Sequence, residues 1–210
     1  MPLRNRVLPN AEIVSMPMRG LLMGNRGCLH DDQKRVLKPW ASNAWIICLL
    51  EFKGRKRELM KPGCYTELFF LDEASALAAG HRPCAECRRE AFERFRTAWA
   101  RGNDYRGGGA LPRAGEMDDR LQQDRVEPGG RGKRIYEAAL GDLPDGAMVL
   151  GLDGEPHLFA GNALRRWASD GYAEPVAADP KATVRVLTPR STVAAMAAGY
   201  SAMLHPSATA

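Results

Sequence analysis

Apolar positions along this chain fall into short clusters separated by glycine, proline and charge, so short elements are expected rather than long helices. Residues 44–60, AWIICLLEFKGRKRELM, open with a nearly unbroken β-rich apolar run and end in charge. The pattern predicts a hairpin: a buried first arm, a turn at Lys53-Gly54-Arg55-Lys56, and a half-exposed second arm. YTELFFL (65–71) predicts another strand. DEASALAAG then predicts a short helix, with Asp72 as N-cap and Gly80 as its end. A second helix is expected from about Cys87 to Arg101, because Phe92, Phe95 and Trp99 recur at helical spacing and so belong to the core.

Residues 102–134 contain GNDYRGGG and EPGGRGKR on either side of a helix candidate, GEMDDRLQQDR; this composition reads as an insertion or linker. Beyond it, turn signals every few residues in LPDGAMVLGLDGEPHLFAGNALRRWASDGY predict a small antiparallel β unit, followed by the strand TVRVLTP, the helix STVAAMAAGY and a fraying tail. Trp167 and Tyr172 of that unit are expected to be buried, with stacking on bases as the lesser reading. The expected fold is α+β: an antiparallel sheet with short helices built around a structural zinc site. Its parts are a zinc-containing region at 1–101, the insertion at 102–134 and a β-rich unit at 135–210, packed on the same core or forming a second lobe.

Composition narrows the function classes. About 45% of the 210 residues are hydrophobic, enough for a core. No apolar run is long enough to span a membrane, and the N-terminus lacks the apolar centre of a signal peptide, so a cytoplasmic protein without a membrane partner is expected. Five cysteines in a reducing compartment point to metal binding or burial rather than disulfides. A net charge of +5, with Arg outnumbering Lys, permits a polyanionic partner.

The strongest motif is Gly80-His81-Arg82-Pro83-Cys84-Ala85-Glu86-Cys87-Arg88-Arg89. Two thiolates two residues apart, at a turn entering a helix, can grip a tetrahedral zinc ion. The helix ending at Gly80 disfavours a thioredoxin-like redox pair, which would follow a strand. LDEASALAAGHRPCAECRRE resembles the second half of the Ada-type metal-binding domain, over roughly residues 66–91. The resemblance implies zinc ligation by Cys84 and Cys87, a DNA-facing surface, and Arg82 and Arg88 near phosphate. That domain's other two cysteines form a close upstream pair, which this chain lacks, so methyl transfer is not expected. The remaining ligands must come from Cys28, His30, Cys48 or Cys64. His30 and Cys48 are favoured: His30 for its place in a polar Gly-rich loop, Cys48 for the parity that turns it to the packed face of its strand.

Nucleobase deaminases share P-C-x-x-C, but His30 is followed by Asp31-Asp32 and not by x-Glu, so their general acid–base is missing. The loop Gly20 to Asp32, GLLMGNRGCLHDD, nevertheless holds groups for polar chemistry. Asn25 and Arg26 suit a base edge or phosphate, and Asp32 or Asp31 could stabilise an oxocarbenium-like sugar during excision of a modified or damaged base. The expected function is therefore a zinc-stabilised DNA-binding hydrolase resembling a DNA glycosylase, serving repair or defence. One alternative is a nuclease in which Asp31, Asp32 and Glu51 of the strand motif Glu51-x-Lys53 hold Mg²⁺ while Lys53 assists the attacking water. Another is a non-enzymatic zinc module binding DNA, with RNA left open, through Lys53, Arg55, Lys56, Arg57, Arg88 and Arg89.

Overall fold

The computed structural model describes residues 2–54, 58–130 and 132–209. Its first half builds a six-stranded sheet from β1 (Arg6–Val7), β2 (Ile13–Val14), β3 (Leu22–Asn25), β4 (Ile46–Cys48), β5 (Leu68–Phe70) and, after helix α1 (Glu73–Ala78), β6 (Arg82–Pro83). The spatial order is β2-β1-β5-β3-β4-β6. The sheet is mixed rather than antiparallel, because β1 pairs with β5 and β4 with β6 in parallel. A parallel pair needs a long crossover, and the chain between β4 and β6 supplies it through β5 and α1.

That topology overturns the expected hairpin at 44–60. β4 lies between β3 and β6, so both of its edges are occupied, and neither of those partners comes from the segment that follows it. Lys53 and Gly54 do form a turn, with φ of 52° and 64°, while Arg55, Lys56 and Arg57 lie outside the described residues.

Helix α1 forms where expected. The Asp72 side chain accepts from the Ser75 N–H, and Ser75 reciprocates as a capping box. Gly80 follows with φ of 99°, a left-handed conformation that glycine adopts without strain. All six α1 residues are buried. The reason lies on both sides: Ala76 and Leu77 pack on the first sheet's core, while Ala74 and Ala78 pack on the second sheet's. Alanine at these positions lets two sheets approach one thin helix.

Helices α2 (Arg89–Gly102) and α3 (Ala114–Arg125) follow. α2 buries Phe92, Phe95 and Trp99 as its spacing predicts. α3 lies in the stretch expected to be a linker, yet its Met117 and Leu121 are fully buried. The second sheet contains β7 (Tyr136–Ala139), β8 (Met148–Leu150), β9 (Pro156–Ala160), β10 (Ala163–Ala168), β11 (Gly171–Tyr172), β12 (Val176–Ala177) and β13 (Thr183–Val186). It is antiparallel, in the order β11-β10-β9-β8-β13-β7, with β12 also on β10. Helix α4 (Arg190–Ala197) packs against α2. Among the described residues, no helix is long and apolar enough to cross a membrane.

Two buried carboxylates at the start of α1 tie the C-terminal half down. Asp72 accepts from the Tyr172 hydroxyl and the His205 N–H, both at 3.0 Å. Glu73 accepts from Arg88 at 2.7 and 2.9 Å, from the Tyr200 hydroxyl at 2.6 Å and from the Met203 N–H at 2.9 Å. Burial raises the Asp72 carboxyl above its usual range, against the pull of these donors. The tail does not fray: Pro206–Ala208 form a 3₁₀ turn, and the Ser207 hydroxyl accepts the Tyr172 N–H at 2.8 Å.

Candidate metal centre and surrounding residues

The parallel pairing of β4 with β6 brings two distant segments together at their C-terminal ends. The Cys84 N–H donates to the Ile47 carbonyl at 2.9 Å, continuing the ladder one step past β6. Cys84 therefore sits beside Cys48. The chain then turns over residues 85–88, ahead of α2, and that turn returns Cys87 to the same point. One ligand atom from each of Cys48, Cys84 and Cys87 lies within 4.8 Å of the others, a spacing that could hold a metal ion. No other such group of His, Cys, Asp and Glu occurs among the described residues.

The electrostatics suit gathered sulfurs. The Cys48 thiol donates to Cys84 and is held far above its ordinary value by that bond and by burial. Cys84, receiving it, is pushed down to about 5. Cys87 is raised, first by burial and then by the charge on Cys84. The Glu86 N–H reaches the Cys84 sulfur at 3.4 Å, and the Leu49 N–H points at Cys87. Three sulfurs sharing protons in this way offer soft anionic donors to a thiophilic cation, and a metal would release the remaining protons.

His30 is not brought to this cluster. Its Nδ1 is 2.6 Å from the Thr66 hydroxyl and its Nε2 3.3 Å from the Lys61 carbonyl, so both ring nitrogens are engaged elsewhere. Cys28 and Cys64 also lie outside the trio. The loop carrying His30 turns away because Leu29 is buried and its N–H is bound by Thr66 at 2.9 Å.

The other expected site residues are dispersed. Asn25 accepts the Gly27 N–H at 3.2 Å and pins a turn. Asp31 accepts the Gln33 and Arg35 N–H groups at 3.0 and 2.9 Å and the Arg35 guanidinium at 2.7 Å. The Arg35 backbone bond, followed by its side chain, holds this carboxyl below its usual range. Asp32 is exposed on the same tip. Glu51 and Lys53 sit in the exposed stretch after β4 rather than on a strand.

Arg82 and Arg88 face carboxylates instead of solvent. Arg82 is buried and donates to both Asp118 oxygens at 2.8 and 2.7 Å, and Arg88 pairs with Glu73. Arg89 is exposed and pairs with Glu93 one helical turn on. Arg26 turns inward: the residue is 1% exposed, and its guanidinium lies 4.0 Å from the centre of the Trp45 ring and donates to the Ala11 and Pro39 carbonyls and to His81 Nε2. It lies on the wall of a large cavity together with Arg125 and Lys133, neither of which the motif analysis singled out.

No protein-family model, curated protein or solved structure matches this chain.

Proposed function

We propose that this chain is a nucleic-acid-binding protein whose fold is fixed by a structural zinc ion on Cys48, Cys84 and Cys87. The observation that carries the zinc assignment is the convergence of three sulfurs from two separate segments on one point. Thiolate ligands at the end of a strand and the start of a helix are a common structural zinc arrangement. The likeness of residues 66–91 to an Ada-type domain supports the same ion. DNA as partner rests on that likeness and on the net charge of +5. Lys53 and Arg89 are the exposed cations nearest in sequence to the cysteine ligands.

A binding module accounts for the molecule more simply than either hydrolase. Base excision needs a carboxylate facing the extruded nucleotide, and Asp31 serves as an acceptor within its own exposed turn. The nuclease needs Asp31 or Asp32 beside Glu51, whereas Asp31 and Asp32 share one tip, on which Asp31 is taken up by Arg35, and Glu51 lies in the exposed stretch after β4.

The test is fluorescence anisotropy with labelled single- and double-stranded DNA and RNA. Binding should weaken by more than tenfold between about 50 and about 200 mM salt, and Lys53→Glu with Arg89→Glu should weaken it further. Absence of binding to every strand at the lower salt would refute the reading.

A further inference from the structure

A cavity of about 800 Å³ lies apart from the cysteine cluster. Residues 10–14, 36–40, Trp45 and the turn following α3 enclose it. Five cations, Arg4, Arg26, Lys38, Arg125 and Lys133, face a single carboxylate, Glu12, on its described wall.

Among the described residues, three of those cations form no ion pair with a carboxylate, although Asp118 lies close enough to act on Arg125. Arg26 and Arg125 lie 4.0 and 4.1 Å from the ring of Trp45. Arg125 donates to the carbonyls of Gly80 at 2.8 Å and Asn43 at 2.6 Å, and to Gln122. Lys133 donates to the Ala78 carbonyl at 2.5 Å. The nearby Asp118 already receives two bonds from Arg82. One donor is left over: Arg26 Nη2 is buried with no partner. Burying a cation without an opposite charge is costly, and clustering three compounds the cost. An anion entering the cavity would offset it.

The rest of the wall selects among anions. Trp40 and Trp45 line it with Ile13, Val36 and Ile135. Inorganic phosphate alone would leave most of that apolar wall uncovered, whereas a phosphate joined to a flat ring would cover both kinds of surface. A volume near 800 Å³ falls in the range of small-ligand sites.

We infer that this cavity binds a nucleotide phosphate, with the Lys133 ammonium on the phosphate, the charges of the buried Arg26 and Arg125 behind it, and the base against Trp40. The nucleotide is either free or the phosphorylated end of a strand. Lysine binds phosphate as a point charge, and a tryptophan face accepts any base. The inference does not depend on the zinc site or on binding along a strand.

Isothermal titration of the full chain, purified with its metal retained, uses adenosine 5′-monophosphate, adenosine and inorganic phosphate as probes. The monophosphate should bind at least roughly tenfold tighter than adenosine. Lys133→Gln should lose roughly tenfold for the monophosphate and leave adenosine unchanged, and Trp40→Ala should lose affinity for the monophosphate but not for inorganic phosphate. Circular dichroism checks each fold, and Trp40→Ala decides the matter if Lys133→Gln fails to fold. Adenosine binding as tightly as its monophosphate, no binding of the monophosphate at millimolar concentration, or parental affinity in the folded variants would overturn the inference. A 5′-phosphorylated oligonucleotide that displaces the monophosphate assigns the strand end; one that does not assigns the free nucleotide. Failure of DNA or RNA to bind in the anisotropy experiment leaves the mononucleotide titration unaffected.

Discussion

The Cys84 N–H donates to the Ile47 carbonyl at 2.9 Å, and this one bond sets Cys84 beside Cys48 although they are far apart in sequence. A metal held there clamps β4 to the start of α2, so its binding free energy becomes folding free energy. Cys48→Ser and Cys84→Ser are expected to lose several kcal/mol of stability, well over ~2. Cys28→Ser and Cys64→Ser should stay within ~0.5 kcal/mol of the parent. Thermal melting with and without chelator checks this: chelator should destabilise the parent strongly and the Cys48 and Cys84 variants little.

Arg82 and Asp118 form a buried pair linking β6 to α3, with side chains 5% and 7% exposed. Removing one partner leaves the other charge buried. Arg82→Met should therefore cost about 3–5 kcal/mol. Adding Asp118→Leu to it should restore much of the loss, because an apolar pair of similar size needs no desolvation. Denaturant midpoints of the two single variants and the double variant measure it.

Lys133 supplies a pH signature. Burial, and then the charges of Arg26 and Arg125, lower its ammonium from 10.5 to about 7; His81, on the other side of Arg26, is held neutral by the same causes. Between those values the unfolded chain holds a proton that the folded chain has shed. Stability from this group therefore rises as pH goes from about 7 to 10.5, and the destabilisation is fully present below 7. Lys133→Met should remove that rise and stabilise the protein most at acidic pH. Unfolding titrations of parent and variant across pH 6 to 10 provide the comparison. A parent-minus-variant difference independent of pH would contradict it.

Gly24 tests the approach of β3 to β4. A Cβ there would lie 2.0 Å from the Ile46 carbonyl oxygen. Gly24→Ala should push β4 away, costing about 1–3 kcal/mol or more and weakening metal retention through Cys48. Melting and metal content on the same sample would show whether the two fall together.

Much of this architecture is legible in local pattern. Asp72, Ser75 and Gly80 mark α1 because capping is a contact between near neighbours in sequence. Cys84 and Cys87 stand out for the same reason; Cys48 does join them, but not through strand parity, because the fully buried face of β4 is that of Ile47 and Leu50, of Cys48's parity, is exposed. Information fails where the partner is distant. β4 looks like a hairpin arm because the turn after it is genuine, while the strands that pair with it lie elsewhere in the chain. His30 has the chemistry of a ligand, but the backbone bond from Leu29 to Thr66 directs its ring away. Arg82 reads as a surface cation until Asp118 arrives from a segment that looks like linker. The cavity is the extreme case. Its cations come from four separate stretches, and only Arg26 carries any local sign of a role.

Metal analysis by mass spectrometry, on protein purified without added metal or chelator, tests the central claim most directly. About one zinc per chain is expected, retained through gel filtration and lost in both Cys48→Ser and Cys84→Ser. Protein that is folded, melts cooperatively and carries no stoichiometric metal would contradict it.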